Sequence, residues 1–470
     1  MLHPRPTTDT SSEPIRLNSV TGIHALLREY LFQMRKSCRA ALAIAALTAG
    51  CTSVKPATGV ENAEPVSTDI AVATFDSLWS KVRSTYVDTA FVANEWMQVR
   101  DSLRPRAQLI TTRPELDKLL HDALHHIHDS HFYLIPARIA TTRSESASGG
   151  GKGSTGLAVR VAEGKVVAWR VEEKSPAWNA GLRPGQIITA IEGKKTDSAI
   201  KNVLAMPAQA QPLELANMLH GFNGMLNPAV DDTVGLTLEP SKGIRLAAVQ
   251  GEGKLSQFGN LPPIAALVRT SKIPTASGCV GVIGFNIWLP ELGPELDKAV
   301  SDVRSCDGIV IDLRGNPGGL GAMVMGFGGY FIDTTQSLGT MRSRFVTLNF
   351  VINPRAVVYK GPLAILVDPM SASTSEIFAA GMQRIGRARV FGEPSAAAAL
   401  PAMMERLPSG DVFVHAVADF TDPAGKRVEG VGVVPDEVVA LRIAELSQGR
   451  DAPLDHAVLW IASQKNRRTM

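Results

Sequence analysis

Charge of one sign is what this sequence lacks first. Its 48 Lys and Arg stand against 45 Asp and Glu, and the excess of +3 lies within residues 1–50, which hold six basic and three acidic side chains. The remaining chain is neutral, with 42 of each sign, and offers no electrostatic footprint for nucleic acid. Long apolar runs are missing as well: the uncharged stretch at 40–50 spans 11 residues, too few for a helix that crosses a bilayer. Cysteine is scarce, with four in the chain. Cys279 and Cys306 each stand just before an apolar, strand-like run; an exported protein would bridge them, and two buried free thiols are an equal alternative. His121 and His125 have helical i,i+4 spacing, yet no glutamate follows the first, so the zinc-protease pattern is absent and neither metal nor cofactor is expected.

What is present begins at the N terminus. Arg35, Lys36 and Arg39 precede the apolar stretch and Cys51 follows it, the layout of a secretory signal. Leu47-Thr48-Ala49-Gly50-Cys51 resembles a bacterial lipobox, with Thr48 where an aliphatic residue is usual; an ordinary signal peptide cleaved nearby is the alternative. The expectation is a lipoprotein of the bacterial cell envelope, facing the periplasm and attached to the membrane through lipidated Cys51. Met34 opens a conventional leader by itself and is a second candidate for the start.

Beyond the leader the length exceeds what one hydrophobic core usually serves, so two or three domains are expected. The pattern divides the chain into a leader at 1–50, a polar tether at 51–65, a helical region at 66–143, a sheet domain at 152–250, an α/β core at 251–450 and a tail at 451–470, with a Gly/Ser-rich linker near 144–154. Phe75, Leu78, Trp79 and Val82 recur at helical spacing, as do Leu116, Leu119, Leu120 and Leu124. Residues 156–161 and 166–171 read as short strands around a Glu163-Gly164-Lys165 turn. Residues 194–227 read as an insertion whose Leu213, Met218, Phe222, Met225 and Leu226 form an apolar patch. Residues 308–313 and 364–367 are apolar strands of the kind covered on both faces, and they alternate with helices. The expected fold class is multidomain α+β: a small helical N-terminal region, a sheet domain, and an α/β core with a largely parallel sheet.

Two stretches of that core carry chemistry. Asp312-Leu313-Arg314-Gly315-Asn316-Pro317-Gly318-Gly319 follows a strand directly, and its glycines let backbone amides approach a substrate. An amide of Gly318 or Gly319, joined by that of Thr374, would stabilise an oxyanion; a tight turn alone is the bland reading. Ser373, in Met370-Ser371-Ala372-Ser373-Thr374-Ser375-Glu376, sits between a strand and a helix N terminus, where negative charge is favoured. Ser373 followed by Glu376 is also a capping-box pattern, so local sequence leaves both readings open.

The glycine motif at 312–319, the segment from Leu366-Val367-Asp368 through Ser373 to Gly392-Glu393-Pro394, and Glu429-Gly430-Val431-Gly432-Val433-Val434-Pro435-Asp436 resemble, in that order, the C-terminal-processing, or tail-specific, serine protease family. Ser175-Pro176-Ala177-Trp178-Asn179-Ala180-Gly181-Leu182-Arg183-Pro184-Gly185 resembles the most recognisable stretch of a PDZ domain. The resemblance implies a serine endopeptidase that attacks polypeptides with exposed tails, with Ser373 as nucleophile. A peptide end would add to the strand Gly156, Leu157, Ala158 and Val159, its carboxylate held by amides near Gly156.

One departure decides the branch. A lysine base sits 25 positions beyond the serine in the bacterial tail-specific enzymes; here that position is Ala398, and the next lysine after Ser373 is Lys426. A second branch, resembling the tricorn core protease, uses Ser-His-Ser-Glu, and Asp129-Ser130-His131-Phe132 with Glu429 supplies matching residues. The resemblance then implies His131 as base, near its ordinary pKa of about 6.5, with Glu429 orienting it through Ser130. An inactive peptide-binding scaffold and an esterase using the same serine are the rival readings.

Overall fold

A computed structural model of the chain describes residues 64–137, 153–257, 263–276 and 278–468. The leader, Cys51, nearly all of the tether and most of the Gly/Ser-rich linker lie outside them.

Three long helices build most of the N-terminal region, α1 (Thr68–Thr85), α2 (Glu95–Ala107) and α3 (Arg113–Leu124), with a single short turn of helix at Thr89–Ala93 between the first two. Ser67 Oγ accepts the Ile70 N–H to start α1, and Glu115 accepts the Thr112 N–H in a capping box that starts α3. Their apolar stripes, with Phe75, Leu78, Trp96, Leu116 and Leu120, close on Leu407 and Phe413 from a distant hairpin. Each such buried side chain is worth about 1.5–3 kcal/mol, so this shared core fastens the helices to the C-terminal half of the chain. The strand Tyr133–Ile135 then pairs antiparallel with Val412–Ala416, Tyr133 opposite Val414. The chain leaving α3 is thereby delivered to the core immediately after residues 130 and 131.

In the middle domain Leu157–Ala162 pairs with Lys165–Val171, while Ile188–Ile191, Thr233–Leu238 and Lys242–Ala247 form a second antiparallel group. Val159, Val166, Leu182, Ile188 and Leu236 fill its interior together with Phe222 and Leu226. The expected apolar patch is therefore largely interior: the helix Gln211–Met225 and the residue after it complete the domain core, and Leu213 packs against Ala396 and Ala398 of the protease core.

The core holds a six-stranded sheet: β1 (Val268–Thr275), β2 (Gly278–Phe285), β3 (Gly308–Asp312), β4 (Leu363–Val367), β5 (Arg389–Gly392) and β6 (Glu437–Val438), in that spatial order. Only the β1–β2 pair is antiparallel. Side chains alternate across the pleat: Ile309 and Ile311 face Phe327 and Phe378 on one side, and Val310 faces Ala457 and Ile461 on the other. Those last two lie on the helix Ala452–Arg468, so the segment expected as a tail instead covers one face of the sheet. Its Leu454, Ala457, Val458 and Ile461 recur at the spacing of a helical face. Cys279 and Cys306 form a disulfide, which decides between the two alternatives left by the sequence.

The membrane expectation needs correction. Among the described residues no helix is long and apolar enough to cross a membrane, and Cys51 lies outside them, so the lipoprotein and membrane assignments are withdrawn.

Candidate active site

Ser373 stands where β4 gives way, through the loop 368–373, to the helix α4 (Thr374–Arg384). It is the N-cap, with φ 55° and ψ −120°, a conformation that costs a non-glycine residue about 1–3 kcal/mol. Tertiary contacts hold it there. Its N–H donates to the Ala398 carbonyl at 2.7 Å and to Glu376 Oε2 at 3.0 Å. Glu376 thus closes a capping box with Ser373, and its own N–H donates to the Ser373 carbonyl at 2.8 Å. Gly318 packs directly on this residue, since a Cβ there would lie 2.6 Å from Ser373 Cβ.

The three expected oxyanion donors separate into two kinds. The Gly318 N–H donates to Asn316 Oδ1 at 2.9 Å, so it is committed inside its own turn and is not a free donor. The N–H groups of Gly319 and Thr374 have no hydrogen-bond partner among the described residues. Thr374 Oγ1 donates to the Gly319 carbonyl at 2.8 Å and ties the two loops together.

Ser130, His131 and Glu429 come together across 299 positions of sequence. The Ser130 N–H donates to Glu429 Oε1 at 2.7 Å, Ser130 Oγ donates to Glu429 Oε2 at 3.0 Å, and the same oxygen lies 2.6 Å from His131 Nδ1. A hydroxyl has one proton. With that proton directed at the carboxylate, the bond to Nδ1 requires the imidazole to donate, which leaves the Nε2 lone pair free to act as a base. The segment is braced from behind, where Asp129 accepts from Tyr86 Oη at 2.9 Å and from Arg427 at 2.7 Å. His131 has a positive φ of 62°. Loss of hydration pushes its pKa down to about 4, below the ordinary value expected from sequence, and burial holds the Glu429 carboxyl above its usual range.

No hydrogen bond joins Ser373 Oγ to the imidazole among the described residues. The two halves meet through Ala398, which accepts the Ser373 N–H, and Ala399, whose N–H donates to Glu429 Oε2 at 2.7 Å. A Ser130→Ala chain should therefore lose the proton order and drop about a hundredfold in kcat with KM little changed. Steady-state kinetics on a peptide substrate checks it.

Three residues outside the sequence-based selection organise the site. Glu376, recognised only as a capping pattern, is buried and accepts from Ser395 Oγ at 2.5 Å and from the Ala397 and Ala398 N–H groups at 2.9 Å. Burial raises its pKa to about 7 against those donors. Asp368 accepts from the N–H groups of Gly315 and Met370 at 2.9 and 3.0 Å, and pairs at 2.5 Å with Arg160 of the middle domain. Asn223 closes part of the expected peptide edge: its Oδ1 accepts the Val159 N–H at 3.0 Å and its Nδ2 donates to the Val159 carbonyl at 3.1 Å. Gly156, Leu157 and Ala158 line a cavity of ≈ 250 Å³ beside it. Only Glu376 had a local sequence signal.

Residues 278–439 match the profile of peptidase family S41, and residues 169–210 match that of a PDZ domain. A carboxyl-terminal-processing protease of Picosynechococcus sp. is 27% identical over 368 residues, covering 77% of this chain and 81% of that one. Over residues 278–439 the chain is similar to peptidase family S41. A second relative, the carboxyl-terminal-processing protease of Synechocystis sp., is 25% identical over 393 residues, covering 81% of this chain and 84% of that one. Among solved structures, a photosystem II D1 C-terminal processing protease shares the fold, with a TM-score of 0.54 at 20% identity over 83% of this chain and 96% of that one. Mature CPAF does so with a TM-score of 0.56 at 12% identity over the same shares, 83% and 96%. The chain is a serine peptidase with a PDZ-like domain.

Proposed function

We propose that this serine peptidase is an endopeptidase working through an acyl-enzyme at Ser373, with His131 in place of the lysine base. The observation that carries the reading is Ser130 Oγ, placed between His131 Nδ1 and Glu429 Oε2. Ser373 Oγ attacks the scissile carbonyl carbon, its proton passes to His131 Nε2, and the imidazole returns that proton to the leaving amine. Water then attacks the ester with the same base. The Gly319 and Thr374 amides stabilise the oxyanion. Closure of the remaining gap between Ser373 and His131 accompanies substrate binding, as catalytic hydrogen bonds tighten in the Michaelis complex.

Polypeptides with exposed C-terminal tails are the proposed substrates, a reading supported by the PDZ-like domain and by relatives named carboxyl-terminal-processing proteases. The Cys279–Cys306 disulfide supports an oxidising, exported compartment. A serine-directed fluorophosphonate tests the chemistry: the chain is expected to label, Ser373→Ala to give no label, and His131→Ala to label at least a hundredfold more slowly. Absence of label on the unaltered chain would favour the inactive-scaffold reading.

A further inference from the structure

The junction between the PDZ-like domain and the protease core is crowded with guanidinium groups, and all but one are paired. Arg160 pairs with Asp368, Arg314 with Asp312 and Asp451, and Arg269 with Glu172. Arg170 has no ion-pair or hydrogen-bond partner among the described residues; its recorded contact is the Trp169 ring, 4.5 Å from Cζ to centroid. That ring also lies 4.2 Å from Arg160 Cζ and 5.0 Å from Arg314 Cζ, so three cations share one aromatic plate.

Its place in the fold points to a ligand. Arg170 is opposite Ala158 in the strand register, and with the Gly156-Leu157-Ala158 backbone it lines the cavity of ≈ 250 Å³. It also lines a second cavity of ≈ 460 Å³ against β1, so the residue borders both cavities of the junction. Burial and the neighbouring Arg314, Arg269 and Arg160 all disfavour its charged form, and Asp312, already held by Arg314, is its favourable neighbour. A cation kept in such surroundings without a counterion is relieved by an incoming anion. The planar fork of arginine suits a carboxylate bound through two parallel N–H···O bonds.

We propose that Arg170 is the receptor for a carboxylate carried by the substrate, either the terminal α-carboxylate or an Asp or Glu side chain close to the end, and thereby selects which tails the domain admits. The inference rests on the reading of the PDZ-like domain as the recruiting module. It differs from the expected backbone-only edge, because Asn223 already occupies the Val159 N–H and carbonyl.

The test uses the full chain carrying Ser373→Ala, so that bound peptide is not consumed, and fluorescence anisotropy of labelled apolar decapeptides. One ends in a free carboxylate, one in an amide, and one in an amide with Glu at the penultimate position. Arg170→Gln is expected to weaken binding of a carboxylate-bearing peptide about tenfold or more while leaving the plain amide unchanged, and Arg170→Lys to recover part of the loss. Whichever carboxylate shows the effect identifies its source. Equal weakening of all three peptides by Arg170→Gln, in a variant whose melting temperature matches the parent, would overturn the assignment, as would no weakening of any. If no peptide binds the parent chain, recruitment by this domain fails and the assignment fails with it. Binding of all three in both chains leaves recruitment standing and removes Arg170 alone.

Discussion

A Glu429→Gln chain is expected to keep its fold and lose roughly a thousand- to ten-thousandfold of kcat. The carboxylate accepts three hydrogen bonds, from the Ser130 N–H, Ser130 Oγ and the Ala399 N–H. An amide NH₂ cannot accept any of them. Turned toward Ser130 Oγ, it donates to that oxygen, so the hydroxyl must send its own proton to His131 Nδ1. The imidazole then carries its proton on Nε2, the nitrogen proposed to receive the Ser373 proton, and the base is blocked. Turned the other way, the NH₂ opposes the Ser130 N–H and loosens the segment that carries the ring. Kinetics on an unfolded protein substrate, beside a circular-dichroism melt, checks this; a loss below tenfold with an intact fold would refute the proton order.

The same order fixes the pH dependence. Burial raises Glu429 above the ordinary carboxylate range, whereas His131 is lowered to about 4. As pH falls, Glu429 protonates while the imidazole is still neutral, and its new O–H imposes the same blocked tautomer. The acid limb of kcat/KM therefore reports Glu429, and in Glu429→Gln the residual activity should hold until pH approaches about 4. Stability moves in two senses. The depressed His131 favours the folded state above its ordinary value and loses that contribution as pH falls through about 4. Glu376, raised to about 7, favours the folded state below its ordinary value and loses that contribution as pH rises through about 7.

Sequence patterns reached the sheet because β3 and β4 are apolar on both faces, and a run such as Gly308-Ile309-Val310-Ile311 has few other stable placements. The family resemblance, with the alanine at 398, singled out Ser373, His131 and Glu429 as candidates. Sequence patterns did not reach the tertiary field around them. The pKa of His131 depends on what excludes water from the ring, and the availability of the Gly318 amide depends on a rotamer of Asn316. The helix Ala452–Arg468 was missed because a short apolar stripe at a chain end reads as a tail until there is a sheet face for it to cover. Arg160 and Asp368 are 208 positions apart, and nothing local marks either.

That pair carries the other large prediction. Both side chains are nearly closed to solvent, at 5% and 6% exposure, so removing one leaves the other desolvated and unpaired. Asp368→Ala is expected to destabilise the chain by about 3–5 kcal/mol and to lower kcat as well, because the same carboxylate holds Gly315 of the glycine turn and Met370 of the loop that carries Ser373. Arg160→Ala should be milder: Asp368 keeps its N–H donors and the Ser371 hydroxyl at 3.2 Å. Denaturant midpoints measure the first quantity and turnover the second. Arg160 follows Val159 on the strand proposed to receive the peptide, so displacement of that strand acts on Asp368 and through it on the loop that presents Ser373. If the pair transmits domain position, Arg160→Ala will impair cleavage of a long unfolded protein more than hydrolysis of a small activated ester. Equal losses on both substrates would reduce the pair to a structural clamp.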